Sequence, residues 1–361
     1  MGYQSNSKKD LPIISGIQQI GIGVCDAKEA WKWYRRYFGM DVPVFEDAST
    51  ARLMTRYTDG IAEERYAILA MNMQGGGGFE IWQYTSKTPL FPKNEILLGD
   101  LGINAVKIKT RDIKKTYHFY KAEGLNVLSE IEKSPDGKSH FFVKDPYHNL
   151  FQIVESDSWF GKNKSLTGGV AGVIIGVSDI NLSMPFYKSL LDYPDLTYQE
   201  SGIQSDLNGI LGQEEPLHRV KLQSSSQRCG AFSELLCNTE IELIQSTQRK
   251  VNKIYQDRFW GDLGFIHICF DIVGMVDLEK KASTLGFSFT VNSANSFDMG
   301  KAAGHFAYCE DPDGTLIEFV ETHKVPIIEK LGLYLNLKKR NPEKTLPKWM
   351  LKLLAINKVK D

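Results

Sequence analysis

The feature that most constrains the fold of this chain is an internal repeat. The segment Gly99–Val106 reads GDLGINAV and the segment Gly261–Ile268 reads GDLGFIHI, so both pass from the same Gly-Asp-Leu-Gly start into an apolar run. In each copy the Asp of an Asp-Pro pair stands seven residues before a polar residue, which is Gln152 in the first and Glu318 in the second. Such a repeat indicates that the chain is built from copies of one supersecondary unit.

A longer unit also occurs twice, opening at Gln19–Asp26 and again at Gly172–Asp179. In each unit, one position in the first strand and one in the last strand can be aligned with the other copies. These two positions are 61 residues apart in the first unit (19 and 80), 47 in the second (105 and 152), 70 in the third (172 and 242) and 51 in the fourth (267 and 318). This alternation of long and short units is typical of a duplicated pair. The sequence therefore predicts four related modules.

Each module reads as a strand, a helix and two or three further strands. In the first module Asp26 is a good helix N-cap, and Trp31, Tyr34 and Phe38 are spaced to cover a sheet with one face of the helix. The pattern predicts an α+β fold of four βαβββ modules.

Two polar residues, His267 and Glu318, stand inside otherwise apolar strand patterns of the fourth module. A buried carboxylate needs a partner. A divalent metal would pair the imidazole and the carboxylate, although a direct hydrogen bond between them would also satisfy both. The second module carries Ala105 and Gln152 at the matching positions.

Four such modules, over about residues 14 to 325, resemble the vicinal oxygen chelate superfamily, which includes glyoxalase I, methylmalonyl-CoA epimerase and the extradiol dioxygenases. The resemblance implies two paired domains of the glyoxalase/bleomycin resistance/dioxygenase type. We expect these divisions: a disordered leader at 1–13, an N-terminal domain at 14–160 with modules 14–88 and 99–157, a linker at 161–168, a C-terminal domain at 169–325 with modules 169–248 and 261–325, and a basic amphipathic tail at 326–361.

In this superfamily the first and last strands of two paired modules each contribute one metal ligand. If the duplicated halves exchange modules, the first and fourth modules bring together Gln19, Glu80, His267 and Glu318, which resembles the ligand pattern of glyoxalase I position by position. The other pair would then hold the incomplete set Ala105, Gln152, Gly172 and Glu242. If adjacent modules pair, the C-terminal half offers Glu242, His267 and Glu318. Because the exchanged pairing gathers four candidate ligands at one site, we favour it over the pairing of adjacent modules.

One nitrogen and three oxygens suit one divalent ion of Zn, Ni, Co, Mn or Fe. The resemblance implies a lyase or isomerase that stabilises an enediolate of a small-molecule substrate with vicinal oxygens, with Glu318 as the first candidate for the base and Glu80 as the second. As further substrate-contacting residues we expect Arg52, Arg56, Trp82 and Tyr308.

The glutathione-binding residues of glyoxalase I lie four places after the Gln, four after the first Glu and four before the His. Those places hold Gly23, Tyr84 and Leu263 in this chain. We therefore expect a substrate other than a glutathione adduct.

Two other functions are compatible with the sequence. An extradiol-type dioxygenase is suggested by Tyr308, which stands ten residues before Glu318, but such an enzyme needs a second His where the third module has Gly172. A non-catalytic small-molecule-binding protein is the other alternative.

Composition limits the partners. With 43 basic and 44 acidic residues the chain has no overall charge that would attract nucleic acid. Five cysteines without a Cys-x-x-Cys pair, and a polar N-terminus, favour a cytoplasmic protein, which we expect to be a monomer or a homodimer. The lysine-rich tail is expected to dock on its own domain, with weak contact to a membrane surface as the alternative.

Overall fold

A computed structural model describes residues 12–162, 165–293, 298–299, 302–328 and 333–359 of the chain. Most of the predicted leader, part of the predicted linker (163 and 164) and a short stretch of the tail (329–332) lie outside the described residues.

The first two modules follow the predicted order of elements. The first contains β1 (Ile13–Gly23), α1 (Ala27–Phe38), β2 (Val42–Thr50), a 3₁₀ helix (Arg52–Tyr57), β3 (Glu64–Met71) and β4 (Gly78–Tyr84). The second contains β5 (Gly102–Thr110), α2 (Ile113–Ala122), β6 (Asn126–Val127), β7 (Glu132–Lys133), β8 (Ser139–Lys144) and β9 (Leu150–Glu155).

The third and fourth modules repeat this order with short additions. The third contains β10 (Thr167–Gly176), α3 (Ile180–Pro185) continued by a π-helical turn (Phe186–Leu190), β11 (Asp195–Gly202), a 3₁₀ turn (Ser205–Leu207), β12 (Leu217–Gln223), α4 (Ser233–Leu236) and β13 (Glu240–Ser246). The fourth contains β14 (Gly264–Val273), α5 (Met275–Thr284), β15 (Val291–Asn292), β16 (Asp298–Met299), β17 (Ala302–Glu310) and β18 (Leu316–Thr322). The tail adds β19 (Lys324–Ile328), β20 (Leu333–Asn336), α6 (Lys348–Lys352) and a 3₁₀ helix (Leu353–Asn357).

Two nine-stranded sheets do not follow the two halves of the sequence; each has eight strands in a continuous order and one short strand beside it, β16 paired with β17 in the first sheet and β7 paired with β8 in the second. One has the order β15-β17-β18-β14-β1-β4-β3-β2 and joins the first module to the fourth. The other has the order β11-β12-β13-β10-β5-β9-β8-β6 and joins the third module to the second. Each sheet is therefore made by modules from opposite halves of the chain, which is the exchange that the distribution of ligand residues favoured.

One hydrophobic core holds all four modules together. It receives aromatic side chains from the helices, because α1 begins at the N-cap Asp26 and turns Trp31, Tyr34 and Phe38 inward. The Tyr34 hydroxyl donates to Asp145 Oδ2 at 2.6 Å and so connects the first module to the second. The matching pair, Tyr187 and Asp311 at 2.7 Å, connects the third module to the fourth. The predicted α+β fold of paired βαβββ modules is confirmed.

The described part of the tail packs on the chain's own surface. Leu346 and Leu351 are buried in a small apolar cluster that includes Met71 and Leu236. The backbone N–H of Val359 donates to the carbonyl of Asp41 at 2.9 Å. Within the described ranges, no helix has the length and apolar character that a membrane crossing requires.

Candidate metal centre

Three side chains from the first and fourth modules meet on one face of the joined sheet. Glu80, His267 and Glu318 each offer one ligand atom, and these atoms all lie within 4.8 Å of one another. His267 Nε2 is 3.1 Å from Glu318 Oε2 and 3.4 Å from Glu80 Oε2. The imidazole is completely buried, and the two carboxylates keep only about a tenth of their side-chain surface exposed. A nitrogen ligand and two oxygen ligands are thus placed together inside the protein.

The strand register explains why these residues meet and adds Gln19 to them. The two central strands run antiparallel, with Gly21 opposite His267 and Gln19 opposite Cys269. Each also has a parallel neighbour, in which Gly21 pairs with Glu80 and Cys269 pairs with Glu318. Gln19 therefore has the same register relation to Glu80 that His267 has to Glu318, and this places Gln19 on the face of the sheet that carries the cluster.

Gly21 makes room for this centre. A Cβ atom at this position would lie only 2.4 Å from His267 Cε1, closer than non-bonded atoms approach. Any larger residue at position 21 would force the imidazole to move.

Several buried polar atoms at this centre lack a well-aligned hydrogen bond, although His267 Nε2 lies close to both carboxylates. Gln19 Oε1, both ring nitrogens of His267 and Glu318 Oε2 are buried, and none has a partner with acceptable geometry among the described residues. Buried polar groups are normally satisfied, so four such atoms at one place call for a missing partner. A divalent cation would accept these nitrogen and oxygen lone pairs, and the residues present therefore fit a metal ion.

Electrostatics at the centre favour a cation. Burial disfavours the charged imidazolium, but the nearby carboxylates of Glu318 and Glu80 outweigh it and raise the pKa of His267 to about 9. For Glu80, burial is opposed by His267 and by the charge of Arg65, and together these lower the pKa of its carboxyl group. The two carboxylates thus favour a positive charge at this buried position.

An aromatic cluster, called the chamber below, packs beside the centre on the same face of the sheet. We define this chamber by its buried members Met54, Trp82, Tyr84, Trp260, Phe306 and Tyr308. The Tyr308 ring stands edge-on to the His267 ring, with 5.5 Å between the ring centres and an interplanar angle of 88°. Burial and the charge of Glu318 raise the pKa of the Tyr308 hydroxyl well above its usual value, so this group stays protonated.

The structure separates the four predicted substrate-contacting residues into two groups. Trp82 and Tyr308 are buried in the chamber. Arg52 is exposed, and Arg56 is largely exposed with its Nη2 4.0 Å from Glu310 Oε1. Arg65 is the arginine whose charge helps to lower the pKa of Glu80 at the centre. Its Nη2 lies 3.4 Å from Asp47 Oδ2.

Sequence reasoning missed Trp260. This residue lies in the connection between the third and fourth modules, where no repeat signal marks it. Its backbone N–H donates to the carbonyl of Tyr57 at 3.1 Å, and its carbonyl accepts from the Tyr84 hydroxyl. These contacts with the first module hold Trp260 in the chamber.

The three positions that correspond to the glutathione-binding residues of glyoxalase I make contacts within the protein here. A Cβ at Gly23 would lie 2.0 Å from the carbonyl oxygen of Asp262, Tyr84 donates to Trp260, and Leu263 is buried. None of them offers a free polar group to a ligand.

The corresponding face of the other sheet carries an internal cation. Ala105, Gln152, Gly172 and Glu242 occupy the four matching positions there. Lys107 lies two residues after Ala105, and its Nζ is 2.7 Å from Glu240 Oε1 and 2.7 Å from Glu242 Oε2.

Further buried charges complete this network. Arg219 contacts Glu242 at 2.6 Å and Asp206 at 2.7 Å. Burial favours protonated carboxyl groups, but the surrounding cations reverse this and lower the pKa of Glu240 to about 2. The second set of positions is therefore filled by the protein's own ammonium and guanidinium groups.

Comparison with known proteins agrees with this fold. Residues 16–153 match the model of the Glyoxalase/Bleomycin resistance protein/Dioxygenase superfamily, and the chain carries a domain of this superfamily. No curated protein sequence matches the chain.

Two solved structures illustrate the shared fold. Glyoxalase I from Zea mays superposes with a TM-score of 0.52 at 13% identity, covering 86% of this chain and 92% of that one. A putative dioxygenase from Bacillus subtilis subsp. subtilis str. 168 superposes with a TM-score of 0.56 at 11% identity, covering 96% of this chain and 97% of that one. At these identities the likeness establishes the fold.

Proposed function

We propose that this protein is a metal-dependent isomerase or lyase of the glyoxalase I-like type, acting on a small molecule with two vicinal oxygens that is not a glutathione adduct. The observation that carries this proposal is the buried cluster of Glu80, His267 and Glu318, whose ligand atoms lie within 4.8 Å of one another and whose ring nitrogens make no well-aligned hydrogen bond.

Gln19, Glu80, His267 and Glu318 would hold one divalent ion of Zn, Ni, Co, Mn or Fe. When bound, such an ion supplies Lewis acidity to two neighbouring substrate oxygens and thereby acidifies a proton on the carbon beside them. The burial of His267 and of most of both carboxylate side chains limits their contact with water, which strengthens electrostatic interactions among them.

Glu318 is the favoured general base by its resemblance to glyoxalase I, with Glu80 as the alternative, and the charges of His267 and Arg65 lower the pKa of the Glu80 carboxyl group against the effect of burial. Glu318 would take the proton from one substrate carbon and return it to the neighbouring carbon. The net change is a proton shift within the substrate, with no external oxidant or reductant.

A hydrogen-exchange assay tests this function even while the product is unidentified. Metal-loaded protein is incubated in D2O with a panel of 2-hydroxy and 2-oxo carbonyl compounds, and loss of the carbon-bound proton signal is followed by NMR. Glu318→Gln should retain most of the metal and lower the exchange rate by roughly 10²- to 10⁴-fold, the usual range for a positioned general base.

Gln152→Leu provides the matched control. Gln152 is the counterpart of Glu318 in the other sheet, is buried, and has an unpaired Oε1, so this change should leave both metal content and exchange unaltered. Near-normal exchange by metal-loaded Glu318→Gln would eliminate Glu318 as the base. Protein that takes up no metal would favour a non-catalytic binding function.

The dioxygenase alternative has one observation in its favour, the Tyr308 ring beside His267. Non-haem iron oxygenases use two histidines and one carboxylate. The cluster within the described residues has the reverse composition, one histidine and two carboxylates. Oxygen consumption by the iron-loaded protein with a catechol would support this alternative.

A further inference from the structure

Two indole N–H groups in the aromatic chamber have no acceptor. Trp82 Nε1 and Trp260 Nε1 are both buried, and neither has a hydrogen-bond partner in the part of the chain that the structure describes. Their rings are in contact, with 4.8 Å between centres and an interplanar angle of 71°. A buried tryptophan N–H usually finds a partner, because an unpaired buried donor loses its hydrogen bonds to water without replacement.

Other tryptophans of the chain show the usual behaviour. Trp31 Nε1 donates to the carbonyl of Met40 at 2.8 Å, and Trp159 Nε1 donates to the carbonyl of Ser156 at 2.5 Å. The unpaired donors are therefore a local property of the chamber.

The backbone places both indoles beside the metal centre. Trp82 follows Glu80 by two residues on β4, so both side chains lie on the same face of the sheet. Gly261 follows Trp260 with φ 98°, and a Cβ there would lie 2.3 Å from Trp82 Cζ3. Only glycine allows this close approach, which fixes the two rings against each other.

The chamber has no described cation that is free to bind an anionic substituent. Arg65 is paired with Asp47 at 3.4 Å, and Lys87 is paired with Glu63 at 2.9 Å. The remaining surface is aromatic or aliphatic. The surroundings favour an uncharged apolar group that carries an oxygen acceptor for the indoles.

We infer that the substrate is an apolar, preferably ring-bearing compound with vicinal oxygens, and that a further uncharged oxygen on its body accepts hydrogen bonds from Trp82 and Trp260. This inference rests on the proposed function, because it assumes that the vicinal oxygens are held at the metal centre. Trp82 and Trp260 are then the residues that determine specificity.

Hydroxamates, which chelate a metal through two neighbouring oxygens, provide the probes. The dissociation constants of acetohydroxamate, benzohydroxamate, 3- and 4-acetylbenzohydroxamate and 4-carboxybenzohydroxamate are measured on the metal-loaded full chain. Benzohydroxamate should bind at least about 10-fold more tightly than acetohydroxamate, since a buried ring contributes hydrophobic free energy. At least one acetyl isomer should gain a further factor of about 5 to 10 from its carbonyl acceptor, and the carboxylate should lose affinity.

Indole NMR provides a readout that does not depend on activity. With ¹⁵N-labelled tryptophan, the Nε1–H signals of Trp82 and Trp260 should move downfield when the acetyl probe binds, while that of Trp31 stays in place. Trp82→Phe and Trp260→Phe should remove the gain from the acetyl group and keep the preference for the ring. Trp349→Phe, at a residue with 62% exposure, is the control and should change neither.

The outcomes separate the two proposals. If the protein binds neither metal nor any hydroxamate, both the proposed function and this inference are wrong. If metal and hydroxamates bind but the ring and the acetyl group add no affinity, or the two indole signals do not move, the inference alone is wrong and the metal function stands.

Discussion

Replacing Lys107 with Met should destabilise the protein strongly, although this residue lies far from the proposed metal centre in the other sheet. Its Nζ is 2.7 Å from carboxylate oxygens of both Glu240 and Glu242, and its side chain is only 2% exposed. Methionine has a similar length and cannot carry charge, so the change removes the cation while keeping most of the volume. Two buried carboxylates then lose a shared partner.

The size of the effect follows from what remains around these carboxylates. Removing one member of a buried ion pair costs about 3–5 kcal/mol, because it leaves a buried charge uncompensated. Glu242 keeps Arg219 at 2.6 Å, and Glu240 keeps Lys138 at 3.1 Å and Lys221 at 3.6 Å. We therefore expect a loss at the low end of this range, about 3 kcal/mol.

Urea unfolding of Lys107→Met, Glu240→Gln and the double variant at pH 7.5 measures this as a double-mutant cycle. The double variant should lose clearly less than the sum of the two single losses, with a coupling of about 1–3 kcal/mol. The exposed pair of Lys93 and Asp257, also 2.7 Å apart, is the matched control, and Lys93→Met with Asp257→Asn should show a coupling below about 1 kcal/mol. Equal coupling in the two cycles would refute the view that Lys107 is an internal cation of the core.

Three further predictions concern the metal centre and its surroundings. Gln19→Ala should reduce metal content, measured by elemental analysis, to the level of His267→Ala; full retention would show that the Gln19 amide is not a ligand. The hemithioacetal of glutathione and methylglyoxal should be turned over poorly, and robust glyoxalase activity in a spectrophotometric assay would contradict this. Burial and the charge of Glu321 raise the pKa of Asp271 to about 7, so its contribution to stability is greatest below about pH 4 and is lost as pH rises through 7. Asp271→Asn should therefore become more stable than the natural protein by roughly 1.4 kcal/mol per pH unit across that window, and a pH-independent difference in urea unfolding would exclude this cause.

The sequence alone determined the fold class and part of the site. A fourfold repeat of strand, capped helix and strands admits few architectures, because each copy must bury the same apolar face against its neighbours. His267 and Glu318 were visible because a polar residue within an apolar strand pattern is costly unless something pairs with it. The same reasoning identified Gln19 and Glu80 only through their matching positions in the repeat.

Tertiary structure decided which modules share a sheet. Strands pair through backbone hydrogen bonds, which are alike for all four modules, so the partner of β1 cannot be read from local sequence. The pairing of β1 with β14 brings Glu80 together with His267 and Glu318 and places Gln19 on the same face of the sheet.

Two further residues depended on the same choice of partners. The position of Trp260 comes from backbone contacts to Tyr57 and Tyr84 in a distant module. Sequence reasoning did not identify Lys107, whose role as an internal cation became clear only when Glu240 and Glu242 were placed around it. A lysine on a strand is ordinarily solvated, and only burial in three dimensions makes its charge a structural requirement.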